Sequence, residues 1–74
     1  MSAERKGRGG KTVTILRGFR LTRRDREALL KDLKRSCGSG GTVREDHLEL
    51  QGDQRDGAVA WLERQGFRTR RSGG

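Results

Sequence analysis

Arg35-Ser36-Cys37-Gly38-Ser39-Gly40-Gly41-Thr42-Val43, followed by Leu48-Glu49-Leu50-Gln51-Gly52-Asp53-Gln54-Arg55, decides the fold. The first stretch carries the chain out of a helix, through glycines, into a β-rich segment. Gly38 supplies the left-handed stop, because a residue without Cβ enters that conformation without a clash. The second stretch ends a strand at Gly52-Asp53 and starts another helix. Asp53 occupies the N-cap position, and Asp56 suits the helix dipole. Arg55 points to the inward edge of this helix, where a carboxylate or loop carbonyls would clamp it. The glycine cluster is not a Walker loop, which needs a Lys-Ser/Thr pair and a following helix; Thr42-Val43 and a strand follow here. It reads as a C-cap and a tight turn, with a backbone approach to RNA as the alternative.

Upstream, Thr22 is the N-cap of a helix over about residues 23–36, with Asp25 three residues on. Leu29, Leu30, Leu33 and Cys37 form its apolar stripe, and Lys34 and Arg35 complement its C-terminal dipole. Thr12-Val13-Thr14-Ile15-Leu16 is a strand with Val13 and Ile15 on one face, ended by Gly18. Met1 to Gly10 has few apolar residues and many Gly, Arg and Lys, so it reads as a flexible basic arm. Its removal should leave the fold intact. Residues 11–74 then form one domain.

Downstream, Thr42-Val43-Arg44-Glu45 and His47-Leu48-Glu49-Leu50-Gln51 make an antiparallel hairpin with Val43, Leu48 and Leu50 inward. Ala58, Val59 and Leu62 stripe the second helix, which Gly66 stops. Phe67-Arg68-Thr69-Arg70-Arg71 alternates as a last strand, Phe67 and Thr69 inward, and Ser72-Gly73-Gly74 frays. The order is β-α-β-β-α-β. It predicts an α+β two-layer sandwich with two helices on one face of a small, mostly antiparallel sheet.

The chain has 74 residues, 28% hydrophobic and 38% charged, and a net charge of +8. One small domain fits that length. No apolar run is long enough to span a bilayer, and the N-terminus has no signal-peptide core. The single Cys37 forms no internal disulfide, which suits a reducing cytoplasm. Cys37 lies on the apolar stripe and reads as buried and inert. His47 sits at a hairpin turn and reads as solvent-facing. One Cys and one His are too few for zinc, and no catalytic constellation is present.

The charge is segregated. Residues 1–20 carry six basic groups and one acid, residues 38–66 three basic and six acidic groups, and residues 67–74 three basic groups and no acid. Such polarity points to a polyanion-facing side. On a helical wheel Arg24, Lys31 and Arg35 lie together, opposite Leu29 and Leu33, with Lys34 beside them. Arg5, Lys6, Arg8 and Lys11 in the N-terminal segment and Arg68, Arg70 and Arg71 in the last strand add to this set. Aromatics are limited to Phe19, Trp61 and Phe67, which argues against single-strand binding on stacking platforms. Contacts to phosphate and shape, with little sequence readout, fit better.

The Cys37-Gly38-x-Gly40-Gly41-Thr42-Val43 and Gln51-Gly52-Asp53-x-Arg55 segments resemble the small translation initiation factors related to eukaryotic initiation factor one. The resemblance runs from about Lys11 to Gly74. It implies no cofactor and no enzymatic chemistry. It implies a monomer, without a membrane, that binds the small ribosomal subunit and its RNA near messenger RNA and initiator transfer RNA and influences start-codon selection. In that family a basic loop near the N-terminus reaches the decoding centre, which corresponds here to Arg5, Lys6, Arg8 and Lys11. The first-helix face corresponds to Arg24, Lys31, Lys34 and Arg35. Family members carry a strand before the basic loop, and this chain is expected to begin too late to contain it. The turn Glu45-Asp46-His47 is shorter than the eukaryotic loop and resembles the prokaryotic members. The competing readings are a general RNA- or DNA-binding module acting off the ribosome, part of a ribosome-release complex, and a protein-interaction domain using the acidic middle.

Overall fold

The computed structural model describes residues 1–72. Its elements are β1 (Ser2–Arg8), β2 (Lys11–Arg17), α1 (Arg23–Cys37), β3 (Gly41–Val43), β4 (His47–Gln51), α2 (Arg55–Arg64) and β5 (Arg70–Ser72). The five strands form one sheet in the order β3-β4-β2-β1-β5. All neighbours are antiparallel except β1 and β5. From Lys11 onward the order is the expected β-α-β-β-α-β, and the fold is the expected α+β sandwich. An additional strand precedes it.

That strand corrects the reading of residues 1–10 as a free arm. β1 pairs with β2 over seven residues, from Ser2 opposite Arg17 to Arg8 opposite Lys11, and with β5 on its other edge. Its backbone pairs with β2 along the whole strand and with β5 over residues 2–4, so its order comes from the ladder and not from apolar side chains. Among the residues of β1 whose burial is described, only Ala3 is fully buried. The turn is two residues long, and Gly9 and Gly10 have φ of 51° and 81°. Both positive angles are what a two-residue hairpin turn matching the strand twist requires. The strand that the family resemblance requires is therefore present.

Strand alternation divides the side chains between two faces. Ala3, Leu16, Leu48 and Val43 form one cross-sheet row on the helix side, and Arg5, Thr14, Leu50 and Gly41 the next. Leu30 and Leu33 of α1 and Ala58, Val59 and Leu62 of α2 share one core with Ala3, Leu16, Leu48 and Leu50. Val13 and Ile15 do share a face, but it is the one away from the helices. β3 is shorter than the expected 42–45. The last strand starts at Arg70, so Phe67 and Thr69 lie before it, with Phe67 packed against the core.

The two helices start and stop for identifiable reasons. Thr22 Oγ1 accepts the Asp25 N–H at 3.2 Å, and Gly38 closes α1 at φ 64°. Gly41 is required for a different reason: a Cβ there would lie 2.5 Å from the Glu49 carbonyl oxygen. That close approach is why the glycine cluster is structural. Helix α2 starts one residue later than expected, with Gln54 at the N-cap and no side-chain cap bond. A buried hydroxyl anchors it instead. Thr14 Oγ1 accepts the Gln54 N–H at 2.7 Å and donates to the Gly52 carbonyl at 2.7 Å. Replacing Thr14 by Val keeps the shape and strands both partners, so we expect a loss of roughly 1–3 kcal/mol in chemical denaturation. A Thr14→Ser variant should recover most of it.

Candidate nucleic-acid interface

Sequence places the basic residues on elements; the register places them in space. The β1–β2 turn lies at the end of the sheet where β4 finishes and β3 begins. Helix α1 starts after Arg17, at the opposite end, and runs back to Gly38. The hairpin tip and the C-terminal turn of α1 therefore share one end of the molecule. Lys11, Lys34 and Arg35 are exposed there, and Arg8 occupies the strand position opposite Lys11. Arg24 is exposed at the far end of α1, and Lys31 is exposed between them. At about 1.5 Å per residue this face is roughly 16 Å long from Arg24 to Arg35.

The remaining candidates go elsewhere. Arg5 is on the helix side, with Nη1 3.7 Å from Asp53 Oδ2. Lys6 is exposed on the helix-free face, opposite Val13. Arg68 and Arg70 are exposed at the far end, where Arg70 lies opposite Ser2. A seven-residue strand spans roughly 20 Å, so the tip and the β5 arginines do not reach one phosphate group. The basic set is thus brought together as two ends joined by the α1 face.

The structure also resolves the roles of Asp53, Arg55 and Cys37. Asp53 precedes the N-cap position, which Gln54 takes; its carboxylate accepts the Arg55 backbone N–H at 3.4 Å, Arg55 Nε at 3.0 Å and Nη2 at 3.1 Å. The Arg55 guanidinium holds the Asp53 carboxyl below its ordinary range, and Asp53 in turn raises the pKa of Arg55. The pair is the clamp expected at this position. Cys37 is half-buried, and burial pushes its thiol up, away from the reactive thiolate.

His47 departs from expectation. Its side chain is only 11% exposed, with Nδ1 2.6 Å from Asp46 Oδ1 and Nε2 2.8 Å from Glu49 Oε2. The imidazolium form donates to both carboxylates, whereas a neutral ring donates to one. The bond from His47 lowers the pKa of Asp46. Around them Arg17 bridges Glu4 at 3.0 Å and Asp46 at 3.5 Å, and Arg44 lies 3.4 Å from Glu49. Ile15 is fully buried beneath this network, on the helix-free face. These charges are largely self-compensated, so this network is a weak attractor for a polyanion compared with the α1 face.

Sequence reasoning passed over Arg26. It lies within α1, yet its Nη1 donates to the Glu45 carbonyl at 2.7 Å and the Arg44 carbonyl at 3.3 Å. It fastens the β3–β4 turn to the helix. A signal existed: Arg26 lies four residues before the buried Leu30, on the inward half of the wheel.

The chain matches the family described as Translation initiation factor SUI1 over residues 1–68. It is 51% identical over 74 residues to an uncharacterized protein of Synechocystis, covering 100% of this chain and 67% of that protein. It is 44% identical over 62 residues to a protein translation factor SUI1 homolog of Methanocaldococcus jannaschii, covering 84% of this chain and 60% of that protein. It is 38% identical over 68 residues to the uncharacterized protein YciH of Escherichia coli, covering 92% and 63% respectively. The chain thus spans about two thirds of the length of these relatives or somewhat less. Among the described residues, no helix is long and apolar enough to cross a membrane.

Proposed function

The chain belongs to the SUI1 family of translation initiation factors, and from that premise we propose that it binds the small ribosomal subunit in the cytoplasm and influences start-codon and initiator transfer RNA selection. One observation carries this reading: a two-residue Gly9-Gly10 turn puts the Arg8–Lys11 pair at the same end of the sheet as the C-terminal turn of α1, which carries Lys34 and Arg35. A rigid hairpin, fixed by seven paired residues, holds cations at one end while α1 lays Arg24 and Lys31 along the side. Contact is to phosphates, so geometry and charge decide the fit and base identity does not. The tip positions, α1 binds, and occupancy of the decoding region discriminates between start complexes.

Cosedimentation with isolated small subunits tests the reading. Binding should persist at salt that strips the protein from bulk RNA. Within the ribosomal complex affinity should still fall steeply between roughly 50 and 200 mM salt, with a log–log slope approaching the number of phosphates neutralised. Equal loss from small subunits and bulk RNA would identify a general nucleic-acid-binding module acting off the ribosome.

A further inference from the structure

The far end of the sheet holds a feature that phosphate binding leaves unused. Phe19, Leu21 and Phe67 line a notch of about 250 Å³, closed on one side by Met1 and flanked by Arg20 and Arg68. The two phenylalanine rings meet edge to face, with centroids 6.0 Å apart and an interplanar angle of 76°. Both rings are half-buried and keep part of their surface open to water. The volume is below the roughly 300 Å³ at which drug-sized ligand sites begin, and it suits one planar ring.

The surroundings select the class of ligand. The side chains that line the notch come from Met1, residues 18–21 and residues 67–68, whose charged side chains are those of Arg20 and Arg68, with no acid. Both cationic side chains are arginine and neither is lysine. The guanidinium fork matches a phosphate in two hydrogen bonds and stacks on planar rings, which an ammonium does not do. Arg17 is occupied by Glu4, and Arg23 by Glu27. Arg20, Arg24, Arg68 and Arg70 make no ion pair among the described residues. An aromatic-floored notch flanked by two uncommitted guanidiniums is complementary to an apolar plane carrying negative charge on both flanks.

We propose that this notch receives one unpaired nucleotide of a single-stranded RNA segment, its base against Phe19 and Phe67 and its flanking phosphates on Arg20 and Arg68. The proposal rests on RNA being the partner, as argued above, and adds a base contact to a surface otherwise expected to read only backbone. It also explains why arginines stand roughly 20 Å from the hairpin tip, beyond reach of the phosphates held there.

The test uses the full chain without ribosomes, so that it stands apart from small-subunit binding. The hexanucleotide r(A)6, an abasic hexamer of equal charge and an acidic peptide containing one phenylalanine are each titrated, with the Phe19 and Phe67 ring signals followed by NMR. The expected result is a shift of both rings with r(A)6 and none with the abasic hexamer. Arg20→Glu with Arg68→Glu, both exposed, should weaken r(A)6 at least tenfold without unfolding. Phe67→Leu should weaken it roughly 5- to 150-fold, the range of one lost base stack. Equal ring shifts with the abasic hexamer, or unchanged r(A)6 affinity in the arginine variant, overturns the proposal. Displacement of r(A)6 from the rings by the acidic peptide at lower concentration makes the notch a protein-docking site instead.

Discussion

Deleting residues 1–10 is expected to unfold the domain. β1 is an interior strand, paired with β2 on one side and β5 on the other. Its loss leaves seven β2 residues without their partners and removes the only strand that β5 adjoins. It also uncovers the core where Ala3 sits at 0% exposure beneath the helices. A domain of this size holds only a few kcal/mol of net stability, less than the sum of those losses. Circular dichroism should show loss of cooperative melting at room temperature. A milder variant, Ala3→Asp, places an unpaired carboxylate in the core and should destabilise in the same direction. A truncated chain that melts like the parent would return residues 1–10 to the status of a free arm.

The second large effect is expected in binding. Arg24→Glu, Lys31→Glu and Arg35→Glu together should abolish small-subunit pelleting while leaving the domain folded. All three are exposed on α1, away from the buried Leu30 and Leu33. Surface changes of this kind usually cost within about 0.5 kcal/mol each, with a little more at Arg35 for the lost cation at the helix end. Losing three phosphate contacts should lower the salt slope by about three. Leu33→Ala provides the contrast. It opens a cavity at a fully buried position and should cost roughly 2–5 kcal/mol, whatever its effect on binding. A folded triple variant that still pellets would place the ribosomal contact away from α1.

Much of the architecture was legible because its signals are local. Thr22, the leucines at helical spacing and Gly38 delimit α1 to within a residue. Leu48 and Leu50 identify the inward face of β4 because they alternate with polar residues. β1 was not legible, because an interior strand whose only buried apolar side chain is Ala3 carries no periodicity to detect. Gly9-Gly10 was the available clue, and it is equally at home in a flexible segment and in a hairpin turn. His47 was misplaced because its environment depends on a cross-sheet neighbourhood, with Arg17 opposite it and Glu49 two residues along. The division of the basic residues between two ends was also invisible. Charge counts carry no distances, and only the strand register separates Arg68 and Arg70 from Lys11.

The parallel pairing of β1 with β5 has a consequence for how the protein is made. Ser2 finds its partner in Arg70, so the first strand and the last must meet before the sheet is complete. Synthesis proceeds at about 5–20 residues per second, so the interval between these two residues is roughly 3–14 s. Until Arg70 is made, the outer edge of β1 has no β5 to pair with and is a template on which a neighbouring nascent chain could add a strand. That edge carries Glu4, Arg5 and Lys6 in succession, charges that discourage such pairing. The scarcity of apolar residues that hides β1 from sequence reading is also what protects the half-made chain from aggregation.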